Sequence, residues 1–191
     1  TGGLIGMKRL QYFTQDDGHI FCLLEHVEHE IKIFISNIYN IYKELGLSDT
    51  GNYPDFIFQI STSANHSEAN NILINVCNNI GLKYIINTND GAFYGPKIEV
   101  HIRDYSYKYW QCGTIQLDFD LCKKLNATYM NADGEEEYPI VLHRAYVGSL
   151  ERFLGIFIET YELPQNLQPV HLVLLSVNEH HIDTIKNIVK I

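Results

Sequence analysis

The sequence has no apolar run long enough to cross a bilayer, which excludes a helical membrane span. No signal peptide pattern is visible in the residues given. There is no CxxC pair. The four cysteines, Cys22, Cys77, Cys112 and Cys122, are scattered without a disulfide framework, which points to a reducing compartment and leads us to expect a cytoplasmic protein. Cations are scarce: 14 Lys and Arg stand against 23 Asp and Glu, a net charge of -9. That sign is wrong for a phosphate grip spread over the surface, so contacts to a nucleic acid would need a local patch or residues outside this sequence. No internal repeat or low-complexity segment occurs. What is present is 46% hydrophobic and 19% charged residues over 191 positions. That suffices for a packed core and fits one domain, or one domain and part of another.

Residues 1–6 are glycine-rich and read as a loop. Residues 7–13 and 18–24 read as strands. From 25 to 47 the apolar period becomes helical, with Val27, Ile31, Phe34, Ile35, Ile38 and Ile41 or Tyr42 in one stripe. A strand over 56–60, a helix over 68–80 capped by Gly81, and a strand over 83–86 follow. Residues 97–103 and 109–119 read as two strands closed by a hairpin at 104–107. A helical turn at 121–125 precedes two more strands, 127–130 and 138–146, which flank an acidic loop. Gly148 opens a helix to 161, whose inward residues are expected to be Leu150, Phe153, Leu154, Phe157 and Ile158. Residues 164–169 read as a linker, 170–177 as a strand and 178–189 as a helix. Antiparallel strands with helices beside them make the class α+β.

The organising stretch is Phe13-Thr14-Gln15-Asp16-Asp17-Gly18-His19-Ile20-Phe21-Cys22. Extended, its side chains alternate, so Arg9, Gln11, Phe13, Gln15, Asp17 and His19 share one face. A buried face of such residues is costly unless it binds something. Asp17 and His19 are spaced to hold a metal or an ammonium group together. The competing reading is a turn, since Asp-Asp-Gly is good turn chemistry.

This stretch resembles the end of motif 2 in class II threonyl-tRNA synthetases. Two further stretches resemble the same family in the same order. The first comprises residues 91–99, Gly-Ala-Phe-Tyr-Gly-Pro-Lys-Ile-Glu, and residues 110–119, Trp-Gln-Cys-Gly-Thr-Ile-Gln-Leu-Asp-Phe. The second is residues 143–153, His-Arg-Ala-Tyr-Val-Gly-Ser-Leu-Glu-Arg-Phe. The resemblance covers nearly the whole chain. It implies a mixed, largely antiparallel sheet flanked by helices, with 1–164 as part of a catalytic domain and 165–191 as the start of an α/β anticodon-binding domain. The family's motif 1, the first strand of motif 2 with its Arg and Glu, and a zinc-binding Cys would precede Thr1.

The resemblance also implies the chemistry. The family activates threonine with ATP to threonyl-adenylate and transfers it to tRNA(Thr), with Zn²⁺ in the amino-acid site, Mg²⁺ on ATP, and a homodimer at full length. His19 and His143 match the family's zinc ligands; their separation alone would not pair them. Gln15, Asp17, Tyr94 and Gln116 fall on the threonine side, and Lys97 lines the same pocket. Arg9, Phe13, Gln111, Ser149 and Arg152 fall on the ATP side. Arg9, Lys97 and Arg152 are the expected catalytic cations. A purine suits an aromatic ring with a guanidinium above it, as Phe13 and an arginine provide. The helix opened by 148–152 presents an N-terminus, which favours phosphate. Bland roles compete for each residue: Tyr94 as an exposed loop ring, Lys97 as a strand-edge charge, Arg152 as an exposed partner of Glu151. Two other functions compete, a synthetase-like binding or regulatory module without catalysis, and an unrelated His/Asp metal hydrolase.

Overall fold

The alternation in the strands decides the architecture. In a computed structural model, which describes residues 3–88, 90–92 and 94–189, one six-stranded sheet runs through the molecule. Its strands are β1 (Gly18–Cys22), β2 (Phe56–Ser61), β3 (Tyr84–Asn87), β4 (Lys97–Arg103), β5 (Tyr109–Asp118) and β8 (Ile140–Ala145). They lie in the order β1-β8-β5-β4-β2-β3. All neighbours are antiparallel except β2 and β3, which are parallel and joined through α2 (Ser67–Asn79). Two short strands, β6 (Tyr129–Met130) and β7 (Glu136–Glu137), close the acidic hairpin. Thr1, Gly2, Asn89, Phe93, Lys190 and Ile191, which fall in segments expected above, lie outside the described residues.

One face of the sheet is apolar. Ile98, Val100 and Ile102 of β4 are at most 1% exposed and pack into a single core with α1 (Val27–Glu44), α2 and α4 (Leu150–Thr160). The stripe expected on α1 is buried, with Tyr42 rather than Ile41 as its last fully buried member. Tyr42 meets Phe56 edge to face at 5.0 Å, an arrangement that adds to area burial. The other face carries Ser61, Lys97, Glu99, His101, Thr114, Gln116, His143 and His19, a polar platform. A bulge keeps that platform continuous. Val100 pairs with Gly113 while His101 pairs with Gln111, so Cys112 is an extra residue on β5 and Gln111 returns to the polar side.

Three expectations need correction. Residues 7–13 are not a strand; Gly6, at φ +46°, opens a short 3₁₀ turn over Gly6–Lys8, Arg9 makes an isolated bridge back to Ile5, and the chain then bends at Gln11 and Tyr12. Residues 170–177 stay irregular and exposed, Leu175 and Val177 by 85% and 90%, because no other described strand reaches them. On α4 the buried residues are Phe153, Gly155, Ile156 and Phe157, whereas Leu150, Leu154 and Ile158 are 38%, 45% and 63% exposed. The short helix α3 (Leu121–Leu125) and the C-terminal α5 (Ile182–Val189) form as read. No helix among the described residues is long and apolar enough to cross a membrane.

Candidate active site

Two groups of side chains share the polar platform. At one end, Arg9, Phe13, Gln15, Gln111, Ser149 and Arg152 line a single cavity of about 170 Å³. These include every residue expected on the ATP side. Gln15, expected on the threonine side, lies here as well. Arg152 is aimed by main chain: its Nε donates to Lys8 O at 2.8 Å and its Nη1 to Gln111 O at 2.9 Å. Its guanidinium also lies 6.0 Å from the Trp110 ring. With carbonyls for partners, its charge is oriented and not cancelled by an acid.

The start of α4 is already partly hydrogen-bonded within the chain. Leu150 N donates to Thr14 O at 2.9 Å, and Arg152 N donates to Ser149 Oγ at 3.2 Å. The Ser149 hydroxyl also donates to Glu151 Oε2 at 3.2 Å. Ser149 is therefore an N-cap, and two of the amides at the start of α4 are already engaged. The cations this cavity offers to a phosphate are the Arg9 and Arg152 side chains.

At the other end, β1 and β8 set His19 directly opposite His143. The two rings meet edge to face with centroids 4.7 Å apart. His143 Nε2 lies 3.2 Å from Asp118 Oδ2, and His19 Nε2 lies 3.8 Å from Asp17 Oδ2. The Tyr94 ring is 5.6 Å from the His143 ring, and its hydroxyl donates to Gln116 Oε1 at 3.2 Å. Burial, then the charges of Asp118 and Asp17, raise the Tyr94 phenol above its ordinary value. Gln116 is 8% exposed, and its buried Nε2 finds no acceptor among the described residues. An unsatisfied buried donor is costly, so it marks a place where a ligand oxygen would be welcome. Lys97 pairs in register with Gln116 on the adjoining strand, and its Nζ lies 2.5 Å from Glu99 Oε1.

The structure thus brings together His19, His143, Asp17, Tyr94 and Gln116, with Lys97 beside them. Among the described residues no group of three or more His, Cys, Asp and Glu side chains is placed to hold a metal. Cys22 faces away from His19 on β1, and burial, with the Glu30 charge, pushes its thiol up to about 11.

Several supporting residues escaped sequence reasoning. Glu99 is 2% exposed and accepts from Ser61 Oγ at 2.7 Å and Gln59 Nε2 at 2.9 Å. Lys8, 7% exposed, bridges Asp104 at 3.0 Å and Glu159 at 2.7 Å, pinning the turn whose carbonyl aims Arg152. Asp16 accepts from three backbone amides at 146–148. Of these, only Asp16 had a signal, since the period of two that turns Asp17 to the site turns its neighbour to the opposite side.

The chain matches a family model described as the tRNA synthetase class II core domain (G, H, P, S and T) over residues 2–161. It is 40% identical over 194 residues to a threonine--tRNA ligase of Delftia acidovorans, covering 98% of the chain and 30% of that relative. It is 40% identical over 200 residues to one of Methylibium petroleiphilum, covering 100% of the chain and 31% of the relative. It superposes with a TM-score of 0.85 at 33% identity on the structure described as the RNA binding domain of threonyl-tRNA synthetase from Cryptosporidium parvum, covering 97% of the chain and 48% of that one. The chain spans about a third of the length of the curated relatives it matches. On the match over residues 2–161, the chain belongs to the family of class II tRNA synthetase core domains.

Proposed function

We propose that the chain is the central part of a threonine–tRNA ligase core, in which threonine and ATP lie side by side on the polar platform. The observation that carries this reading is the convergence of Arg9, Phe13, Gln111, Ser149 and Arg152 on one cavity that also holds Gln15. ATP would lay its purine against Phe13 and its phosphates toward Arg9 and Arg152, with Mg²⁺ accompanying the phosphates. The threonine carboxylate attacks the α-phosphorus, the bond to the β-phosphate oxygen breaks, and pyrophosphate leaves. The chain's part is positioning and charge neutralisation. The 3′ end of tRNA(Thr) would then take the threonyl group.

On the amino-acid side, Asp17 and Tyr94 would accept from the threonine ammonium or hydroxyl, and Gln116 Nε2 would donate to a substrate oxygen. His19 and His143 suit zinc as two of the three protein ligands an open site needs; they are neutral-capable donors on facing strands with rings 4.7 Å apart. Zinc bound there would take the amino and hydroxyl groups of threonine in its open positions. Valine, which lacks the hydroxyl, leaves these polar groups unmatched, a strong basis for rejection. Residues 165–191 would begin an anticodon-binding domain, and the full-length protein would be a homodimer.

The test is threonine-dependent exchange of labelled pyrophosphate into ATP by the longest natural protein that carries this chain. Arg152→Ala is expected to reduce exchange by roughly 10²–10³-fold, the scale of one lost preorganised charge contact. Asp17→Ala is expected to reduce it strongly as well. Exchange driven by serine or proline in place of threonine would refute the substrate, and a folded, metal-loaded protein without any exchange would point to a binding or regulatory module.

A further inference from the structure

Asp16 lies in the middle of the run that feeds the site, yet its side chain points away from the site. Its Oδ2 accepts from Tyr146 N at 2.7 Å and Val147 N at 3.1 Å, and its Oδ1 from Gly148 N at 2.7 Å. The surrounding backbone is stitched in the same direction. Asp16 N donates to Gly148 O at 3.3 Å, Leu150 N to Thr14 O at 2.9 Å, and Thr14 N to both carboxylate oxygens of Glu151 at 3.0 Å. Alternation then places Gln15 and Asp17, its two neighbours, on the site face.

The turn that Asp16 grips is also held from the core side. Tyr42 Oη donates to Tyr146 O at 2.9 Å, Asn37 Nδ2 donates to Tyr146 Oη at 2.8 Å, and the Phe34 and Tyr146 rings stack at 5.4 Å. Gly148, at φ +66°, passes so close to the bulge at Cys112 that an added Cβ would lie 2.2 Å from the Cys112 carbonyl oxygen. The turn leads directly into Ser149 and Arg152. Thus one carboxylate joins the run carrying Gln15 and Asp17 to the turn carrying the nucleotide-side arginine.

We propose that Asp16 is a positioning residue that fixes the spacing between the amino-acid and nucleotide halves of the site. The inference rests on the reading of those halves given above. Three charge-assisted N–H bonds to one carboxylate make a stiff joint. Asparagine keeps the shape but turns an amide donor toward backbone donors, which opens the joint without emptying it.

Two measurements test it. In the exchange assay, Asp16→Asn is expected to raise KM for ATP and KM for threonine together, each by about tenfold or more, the effect of losing charge-assisted bonds. Glu151→Gln, a substitution of a half-buried residue on the same seam, is expected to move both values the same way by less. In hydrogen exchange on the same protein used in that assay, Asp16→Asn is expected to lose protection at the 146–148 amides while β4 and β5 keep theirs. A lower kcat with both KM values unchanged would mean only fewer folded molecules and would overturn the proposal. So would a rise in one KM alone, or amides at 146–148 that stay protected. Absence of exchange in the unsubstituted protein is a separate result; it sinks the functional reading and this inference with it.

Discussion

Glu99 illustrates what a single residue does beneath a site. Burial by itself would raise its carboxyl. The neighbouring His101 ring, the Lys97 ammonium and the Ser61 hydroxyl outweigh that and hold it at about 2. A carboxylate whose folded value lies below its unfolded one stabilises the fold fully above the unfolded value, near pH 4.5, and loses that contribution as pH falls toward 2. The shift corresponds to about 3 kcal/mol. Glu99→Gln removes it and leaves Lys97 short of its anion. The gap in thermal midpoint between wild type and Glu99→Gln should therefore be wide at pH 7 and narrow steadily from pH 5 to pH 2.5. A gap that stays constant over that range would show that the carboxylate's charge contributes nothing. None of this was legible locally: Glu99 stands in an alternating strand like any outward-facing acid, and its burial depends on Gln59 and Ser61 of β2, some forty positions away.

Among the elements, α4 shows most clearly where periodicity succeeds and where it fails. Phe153 and Phe157 were readable as inward, and both are buried. Leu150, Leu154 and Ile158 were read the same way and are not, because Gly155 and Ile156 take the inner side. Met7 lies against Gly155 so closely that an added Cβ there would come within 2.7 Å of Met7 Cβ. Hydrophobicity alone cannot rank Ile156 above Ile158; the direction is set by what packs against the helix. Ile156, 0% exposed, and Ile158, 63% exposed, therefore make a matched pair. Chemical denaturation of Ile156→Ala should show a loss of about 2–4 kcal/mol, and Ile158→Ala a change within about 0.5 kcal/mol. Equal losses would mean the helix is rotated from the orientation described. Long, strongly periodic α1 and the β4–β5 hairpin were legible because their burial pattern and turn chemistry agree with their neighbours. The strands read at 7–13 and 170–177 were not formed because a strand needs a partner, and composition does not say whether one is present. Most of the candidate site residues come from the resemblance; spacing alone does not pair His19 with His143.

At the scale of the molecule, the sheet divides labour between its faces: helices and core on one side, the polar platform on the other. The chain spans about a third of its curated relatives, and among the described residues no group of three or more His, Cys, Asp and Glu side chains is placed to hold a metal. We expect the 191-residue chain alone to give no measurable pyrophosphate exchange, at least about 10²–10³-fold below the longest natural protein that carries it, when both are assayed side by side. Comparable exchange by the isolated chain would show that the platform needs no further residues. One feature of that platform reaches beyond any single assay. Arg152 is aimed by two peptide carbonyls, those of Lys8 and Gln111. A carbonyl has no proton to lose in the ordinary pH range and no side chain to replace. The aim of this arginine is thus written into the path of the backbone: a new side chain at position 111 leaves the carbonyl in place, and one at position 8 reaches the arginine only by loosening the Asp104 and Glu159 pins that hold that path.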